Sequence, residues 1–269
     1  MIDAFNMKTK VFLPAVLALF VTMLSSCGVH PKGWKMVWRE DFKGNTIDET
    51  VWSRIEKGTS SWNDMMSLRP DLAYIVDGQL VLLGKVNDYT GTETTPFITG
   101  GISCHHKKSF RLARIEIRAR FNNVQGFSPA LWLMPDTTVN HQGYAEIDIM
   151  EHINFETLAH QTVHSYYTLH VEDSSKPKHT ISSEIKTDEW NTYATEIYPD
   201  SICFFINGKK TMTYPRLADK EYQFPWSQYP FFIILSNQLE GKWVGPVTEP
   251  QQLPSELRVD WIKVYEKKN

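Results

Sequence analysis

The sequence predicts an all-β fold, two antiparallel sheets packed as a β-sandwich or jelly roll. Three observations carry this prediction. Residues 111–121, RLARIEIRARF, alternate strictly: Ala113, Ile115, Ile117, Ala119 and Phe121 fall on one face, and Leu112, Arg114, Glu116, Arg118 and Arg120 on the other. A period of two with one apolar face describes a half-buried strand. Turn dipeptides separate other β-rich runs, with Asp77-Gly78 between YIV and QLVLL and Asn207-Gly208 between CFFI and KKTMTY. Such pairs favour two-residue hairpins. Finally, no amphipathic helical pattern of ten or more residues appears. Many short strands in one chain of 269 residues fit a sandwich.

The N-terminus reads as an address rather than as fold. Lys8 and Lys10 precede an apolar run from Val11 to Leu24. That run is short for a bilayer span and suits the core of a secretory signal. It ends in Leu24-Ser25-Ser26-Cys27, which resembles a bacterial lipobox. The resemblance implies cleavage before Cys27 and lipidation of its thiol. Residues 1–26 are therefore expected to be a signal peptide, 27–32 a lipidated Cys with a short tether, and 33–267 a single domain. The expected location is the cell envelope, held by a lipid anchor on the outer membrane.

Beyond the tether, β-rich stretches are expected near 35–40, 72–76, 79–86, 97–104, 130–134, 144–151, 161–171, 180–185, 192–198, 201–206, 231–236 and 257–265. Lys and Arg number 28 against 31 Asp and Glu, a near balance that excludes a general nucleic-acid binder. Aromatic residues make up 13%, more than a core needs, which predicts a surface or cleft rich in flat rings. Cys104 and Cys203 have no metal-site spacing; in an exported protein they either pair or remain buried thiols.

The most informative stretch is Ala145-Glu146-Ile147-Asp148-Ile149-Met150-Glu151-His152. In a regular strand Glu146 and Asp148 share a face, while Glu151 has the opposite parity and points into the core. One extra residue, a β-bulge at Ile149-Met150, shifts the phase and returns Glu151 to the acidic face. Three acids in a row can be a solvated stripe, a cation site, or a hydrolytic pair with a helper. Like-charged neighbours push their pKa values apart. Split values are what a two-carboxylate glycosidase needs: one ionised nucleophile and one protonated acid. His160, His164 and His170 stand at even spacings and would share one strand face, a geometry zinc can use. No adjacent carboxylate or Cys completes a known zinc pattern, so the reading is polar lining of a cleft.

EIDIME resembles the catalytic signature of glycoside hydrolase family 16, in the bulged form of its laminarinase-like and endo-β-galactosidase-like members. Further segments resemble the same family: Val37-Trp38-Arg39-Glu40-Asp41-Phe42, Thr99-Gly100-Gly101-Ile102, Ser128-Pro129-Ala130-Leu131-Trp132-Leu133-Met134 and Val259-Asp260-Trp261-Ile262-Lys263-Val264-Tyr265. The resemblance implies a jelly roll with a concave sugar cleft and a retaining, double-displacement mechanism. It makes Glu146 the nucleophile, Asp148 its orienting partner and Glu151 the general acid/base. It places Trp132 beside the sugar at the cleavage point, with His164 and Asn237 as cleft contacts. Tyr144 and Trp243, like Trp62 and Trp226, are loop aromatics that serve either as stacking platforms or as loop anchors. No metal or redox cofactor is required; a structural calcium near Asp260 is the one ion the resemblance suggests. A monomer is expected.

The sequence also departs from the family. Where laminarinase-like members carry Trp-Pro before the signature, this chain has Asn140-His141-Gln142-Gly143-Tyr144-Ala145. The family's Gly-x-Trp-Pro-Ala stands here as Gly126-Phe127-Ser128-Pro129-Ala130, with Ser128 in place of the Trp, and Gly101 replaces an Arg. These changes direct the substrate expectation toward β-galactoside-containing glycans such as poly-N-acetyllactosamine and mucin-type chains, cut internally. The alternatives are an endo-β-1,3(4)-glucanase and a non-catalytic carbohydrate-binding lipoprotein.

Overall fold

The computed structural model describes residues 31–268 except 90, 92, 93 and 172–174. The expected signal peptide and the lipidation site Cys27 lie outside the described residues. The first strands are β1 (Trp34–Glu40), β2 (Ser53–Arg54), β3 (Ala73–Val76), β4 (Gln79–Val86), β5 (Phe97–Thr99) and β6 (Gly101–Ser103). The middle of the chain forms β7 (Ala113–Phe121), β8 (Phe127–Pro135), β9 (Ala145–Glu151), β10 (Leu158–Ser165) and a short helix, α1 (Tyr166–His170). Then come β11 (Thr180–Glu184), β12 (Asn191–Ile197), β13 (Ser201–Ile206), β14 (Lys209–Pro215), β15 (Phe231–Leu239) and β16 (Ser255–Lys267).

These strands form the two sheets of a jelly-roll sandwich. One runs β14-β13-β12-β7-β16-β4-β3, with β1 on β16 and β5 on β4; the other runs β11-β10-β9-β8-β15-β6-β2. The alternation in β7 is resolved as expected: Ala113, Ile115, Ile117, Ala119 and Phe121 are all buried. The opposite face of β7 is not uniformly solvated. Arg114 is buried there between Glu116 and Glu196, with 2.6 Å to Glu196. In the second sheet, Leu131 and Leu133 of β8, Ile147 of β9 and Ile233 and Leu235 of β15 face the same apolar core.

Two expected strands are cut short, each for a local reason. The stretch 97–104 divides at Gly100, where β5 leaves one sheet and β6 enters the other. A Cβ on Gly100 would lie 2.0 Å from the carbonyl oxygen of Leu72, so only glycine permits this crossing. The stretch 161–171 ends as a strand at Ser165. Ser165 Oγ accepts from the Thr168 N–H, and Thr168 Oγ1 accepts from the Ser165 N–H. This capping box starts α1. His170 therefore sits on a helix, and the three-histidine face does not form.

Asn207-Gly208 turns β13 into β14, and Asp77-Gly78 turns β3 into β4, both with positive φ at each residue. That geometry suits a type I′ hairpin. Cys104 and Cys203 are both buried free thiols. The backbone contact at Gly100 predicts a stability difference. Gly100→Ala should cost about 3 kcal/mol, the upper end for overpacking a tight site. Gly78→Ala, strained only by its φ, should cost about 1 kcal/mol. Equal urea midpoints for the two variants would contradict the close approach.

Candidate active site

The outer face of the second sheet carries a cleft of about 720 Å³. Its floor follows strand parity. β8 contributes Ser128, Ala130, Trp132 and Met134, while β15 contributes Phe232, Ile234, Ser236 and Gln238. β9 contributes Glu146, Asp148 and Glu151. Loops and the short strands β2 and β6 add Arg54, Glu56, Trp62, Ser103, His105 and Tyr144.

The acidic row depends on an irregularity in β9. Against β8, Leu131 pairs with Met150 and Trp132 with Asp148, which leaves Ile149 without a partner. Against β10, His160 pairs with Glu151 and Thr162 with Asp148, so two residues oppose Gln161. This is the expected bulge at Ile149-Met150. Ile147, Ile149 and Met150 all remain buried in the core, and Glu151 rejoins Glu146 and Asp148 in the cleft.

Each acid has a distinct environment. Glu146 accepts a hydrogen bond from the Tyr144 hydroxyl, and its backbone carbonyl accepts from Trp226 Nε1 at 3.1 Å. Burial raises the Glu146 pKa, and the Tyr144 bond works against that rise. Burial likewise raises the Tyr144 phenol, so it keeps its proton. Asp148 is the most enclosed acid. Burial first, then the neighbouring Glu146 and Glu151, push its pKa well above the carboxylate range. Glu151 is raised to about 7, chiefly by burial and then by Glu146. His164 Nε2 lies 3.4 Å from Asp148 and 3.9 Å from Glu146. Burial lowers its pKa, so at neutral pH it brings no positive charge to the row.

The remaining expected contacts divide. Trp132 lines the cleft, donates Nε1–H to Ser236 Oγ at 3.0 Å, and meets Trp62 edge-on at 4.8 Å. Tyr144 also lines it. Trp243 is exposed and stands outside the cleft lining, edge-on to His160, the register partner of Glu151. Trp226 is wholly buried beneath the site. Asn237 is a correction. It has the parity of the core-facing residues of β15, and its side chain binds the Leu82 carbonyl and Ser255 between the sheets. Its neighbours Ser236 and Gln238 are the cleft residues instead. The Asp260 carboxylate pairs with the Arg118 guanidinium, and among the described residues it joins no group of three His, Cys, Asp or Glu side chains.

The two departures around the acids also have a structural basis. Asn140 Oδ1 accepts from the Gly143 N–H at 2.8 Å and closes a turn over His141–Gly143. That turn delivers Tyr144 to Glu146. At Gly101, a Cβ would meet Ile55 Cδ1 at 2.9 Å and the Met66 side chain at 3.1 Å, so those two residues fill the space of a longer side chain.

A family model described as "Glycosyl hydrolases family 16" matches residues 70–263. Among curated relatives, a keratan-sulfate endo-1,4-beta-galactosidase of Sphingobacterium multivorum is 29% identical over 90% of this chain, which spans only 58% of that protein. A beta-glucanase of Rhodothermus marinus is 28% identical, over 96% of this chain and 94% of its own. The catalytic domain of an endo-1,3-beta-glucanase from Thermotoga petrophila superposes with a TM-score of 0.77 over 88% of this chain and 99% of its own, at 23% identity. That last likeness concerns the fold.

The raised Glu151 pKa has a stability consequence. Between the ordinary Glu value of about 4.3 and 7, the folded chain holds a proton that the unfolded chain releases. Stability then falls as pH rises through this window. Glu151→Gln removes the penalty. It should raise the melting temperature relative to the parent at pH 8 and leave it nearly unchanged at pH 5. An equal effect at both values would contradict the assigned titration.

Proposed function

The chain belongs to glycoside hydrolase family 16, and on that premise we propose that it is an endo-acting, retaining β-glycosidase. The observation that carries the reading is the row of three carboxylates in the cleft, with two glutamates in unlike environments. Glu146, with a hydroxyl donor on its carboxylate, is the acid suited to attack. Its oxygen bonds the anomeric carbon while Glu151, protonated up to about pH 7, gives its proton to the leaving oxygen. Glu151, now ionised, takes a proton from water, and that water oxygen releases the sugar from Glu146. Burial and the two neighbouring glutamates favour the neutral form of Asp148, which lessens the charge the row carries. Trp132 offers a flat apolar face beside these acids. The chemistry needs no metal or redox group.

The preferred substrate in this proposal is a β-galactoside-containing chain of the poly-N-acetyllactosamine or mucin type. The galactosidase relative at 29% identity supports it, as do the altered loop at Asn140–Tyr144 and the filled position at Gly101. The glucanase relative, matched over 94% of its own length, supports the second reading, an endo-β-1,3(4)-glucanase. In either case the lipobox-like Leu24-Ser25-Ser26-Cys27 would tether a monomeric domain to the cell envelope.

Incubation with keratan-type and mucin glycans, agarose, laminarin and mixed-linkage glucan separates the readings. Internal cleavage of galactoside chains is expected; exclusive release of glucan oligomers would overturn the galactoside preference. Glu146→Gln and Glu151→Gln should each lower kcat at least a thousandfold on the active substrate. The parent kcat/KM should fall as pH rises past about 7, the value at which Glu151 gives up its proton. Residual activity above a tenth in both variants would refute the assigned roles.

A further inference from the structure

At one end of the cleft, away from the acids, a second group of ligand-type side chains comes together. His105 lines the cleft, His106 follows it, and Asp136 follows β8. Asp136 lies four residues beyond Trp132, the register partner of Asp148. At strand rise this places it about 13 Å along β8, too far to touch the reacting bond. The ligand atoms of the three residues lie within 4.8 Å of one another. His106 Nδ1 is 3.3 Å and His105 Nε2 3.9 Å from Asp136 Oδ1. Ligands around a tetrahedral ion with bonds of about 2.0–2.2 Å stand about 3.3–3.5 Å apart. The His106–Asp136 pair is already at that spacing, the His105–Asp136 pair needs a tilt of about half an ångström from an exposed ring, and the two imidazole ligand nitrogens stand within 4.8 Å of each other.

The arrangement is held from several sides. Successive side chains of an extended strand point to opposite faces. His106 instead has φ of 57°, and the rings of His105 and His106 stack with centroids 3.7 Å apart. That left-handed backbone turns the His106 ring to the side of His105. The His106 N–H donates to Asp136 Oδ1 at 3.0 Å, and the Asp136 N–H donates to the Pro230 carbonyl at 2.9 Å. The His105 ring also stacks on Phe232 at 4.3 Å. These contacts fix the backbone on both sides of the cluster and the plane of the His105 ring.

We propose that His105, His106 and Asp136 form a binding site for a divalent transition-metal ion of the Zn²⁺ type at the end of the cleft. Two imidazoles and one carboxylate form a borderline donor set that suits Zn²⁺ and its late first-row neighbours; Ca²⁺ and Mg²⁺ call for oxygen cages. Three protein ligands leave a coordination position open. Because His105 lines the cleft, that position lies within reach of a group on a bound glycan.

The test uses the mature chain, titrated with ZnSO4 against a chromophoric zinc competitor and followed in parallel by thermal unfolding. One equivalent of zinc should bind with a rise in melting temperature, and CaCl2 should give no rise. Co²⁺ substitution should give the visible absorption of a four-coordinate site. His106→Ala and Asp136→Asn should each weaken zinc binding at least tenfold, and His105→Ala/His106→Ala should abolish the melting shift while keeping the circular dichroism of the parent. Absence of saturable zinc binding by the parent would overturn the proposal. So would undiminished binding by the double variant. Loss of binding in His164→Ala alone would also overturn it, since the ion would then sit at Glu146, Asp148 and His164, the other group with ligand spacing.

Discussion

One unpaired backbone residue governs the site. A strand alternates its side chains, so a six-residue run beginning and ending in Glu sends its two ends to opposite faces. The bulge at Ile149-Met150 breaks the alternation by pairing two residues of β9 against one of each neighbouring strand. Its stability comes from the other face. Ile147, Ile149 and Met150 are fully buried, and a side chain of that size gains about 1.5–3 kcal/mol from burial. The same irregularity that spends two apolar residues on the core returns the third carboxylate to the cleft.

That arrangement carries an electrostatic cost which the surroundings leave in place. Among the described residues no Lys or Arg pairs with the row: His164 is the basic group beside it, and burial lowers its pKa. The relief is a single hydroxyl, from Tyr144 to Glu146. Raising Glu151 from the ordinary Glu value to about 7 corresponds to an ionisation penalty on the order of 3 kcal/mol. The apolar contacts beneath the bulge are large enough to offset it. A surface stripe of acids would instead relax toward water, and here the cleft walls prevent that.

The acid row, the bulge and most strands were legible in the sequence because each leaves a local signature: alternation, turn dipeptides, and a carboxylate of the wrong parity. Features that depend on register between distant strands were not. β15 reads FFIILSNQL, apolar on both faces, so its parity could not be fixed from its own residues and Asn237 was assigned to the wrong side. Once Trp132 is placed in the cleft, its pairing with Ile234 fixes Ser236 and Gln238 as cleft residues. The crossing at Gly100 depends on Leu72, a contact invisible in a run of β-formers. The strand reading through Ser165 failed differently. Its capping partner Thr168 is only three residues away, but the β-like character of Tyr166 and Tyr167 hid the signal. His105 and His106 gave no motif because their partner, Asp136, is thirty residues later in sequence.

Within the proposed function, the acid row and most departures from the family pattern rest on different parts of the structure. The acids, Trp132 and the floor from β8 and β15 belong to ladders whose register is locked by a buried inner face. Moving any one of them means shifting a whole strand. The departures from the family pattern fall on Ser128 of the β8 floor, on a capped turn, Asn140–Tyr144, and on Gly101 of β6, between β15 and β2. The turn reaches the acid row from the side and sets which group holds Glu146, while Gly101 leaves its space to Ile55 and Met66. The turn is the more open to substitution, as surface connections are; Gly101 pairs with Ser236, and its carbonyl accepts from the Ile55 N–H. Two relatives of nearly equal identity bear different substrate names, as expected where the sheet that carries the carboxylates and the loops that flank it can change independently.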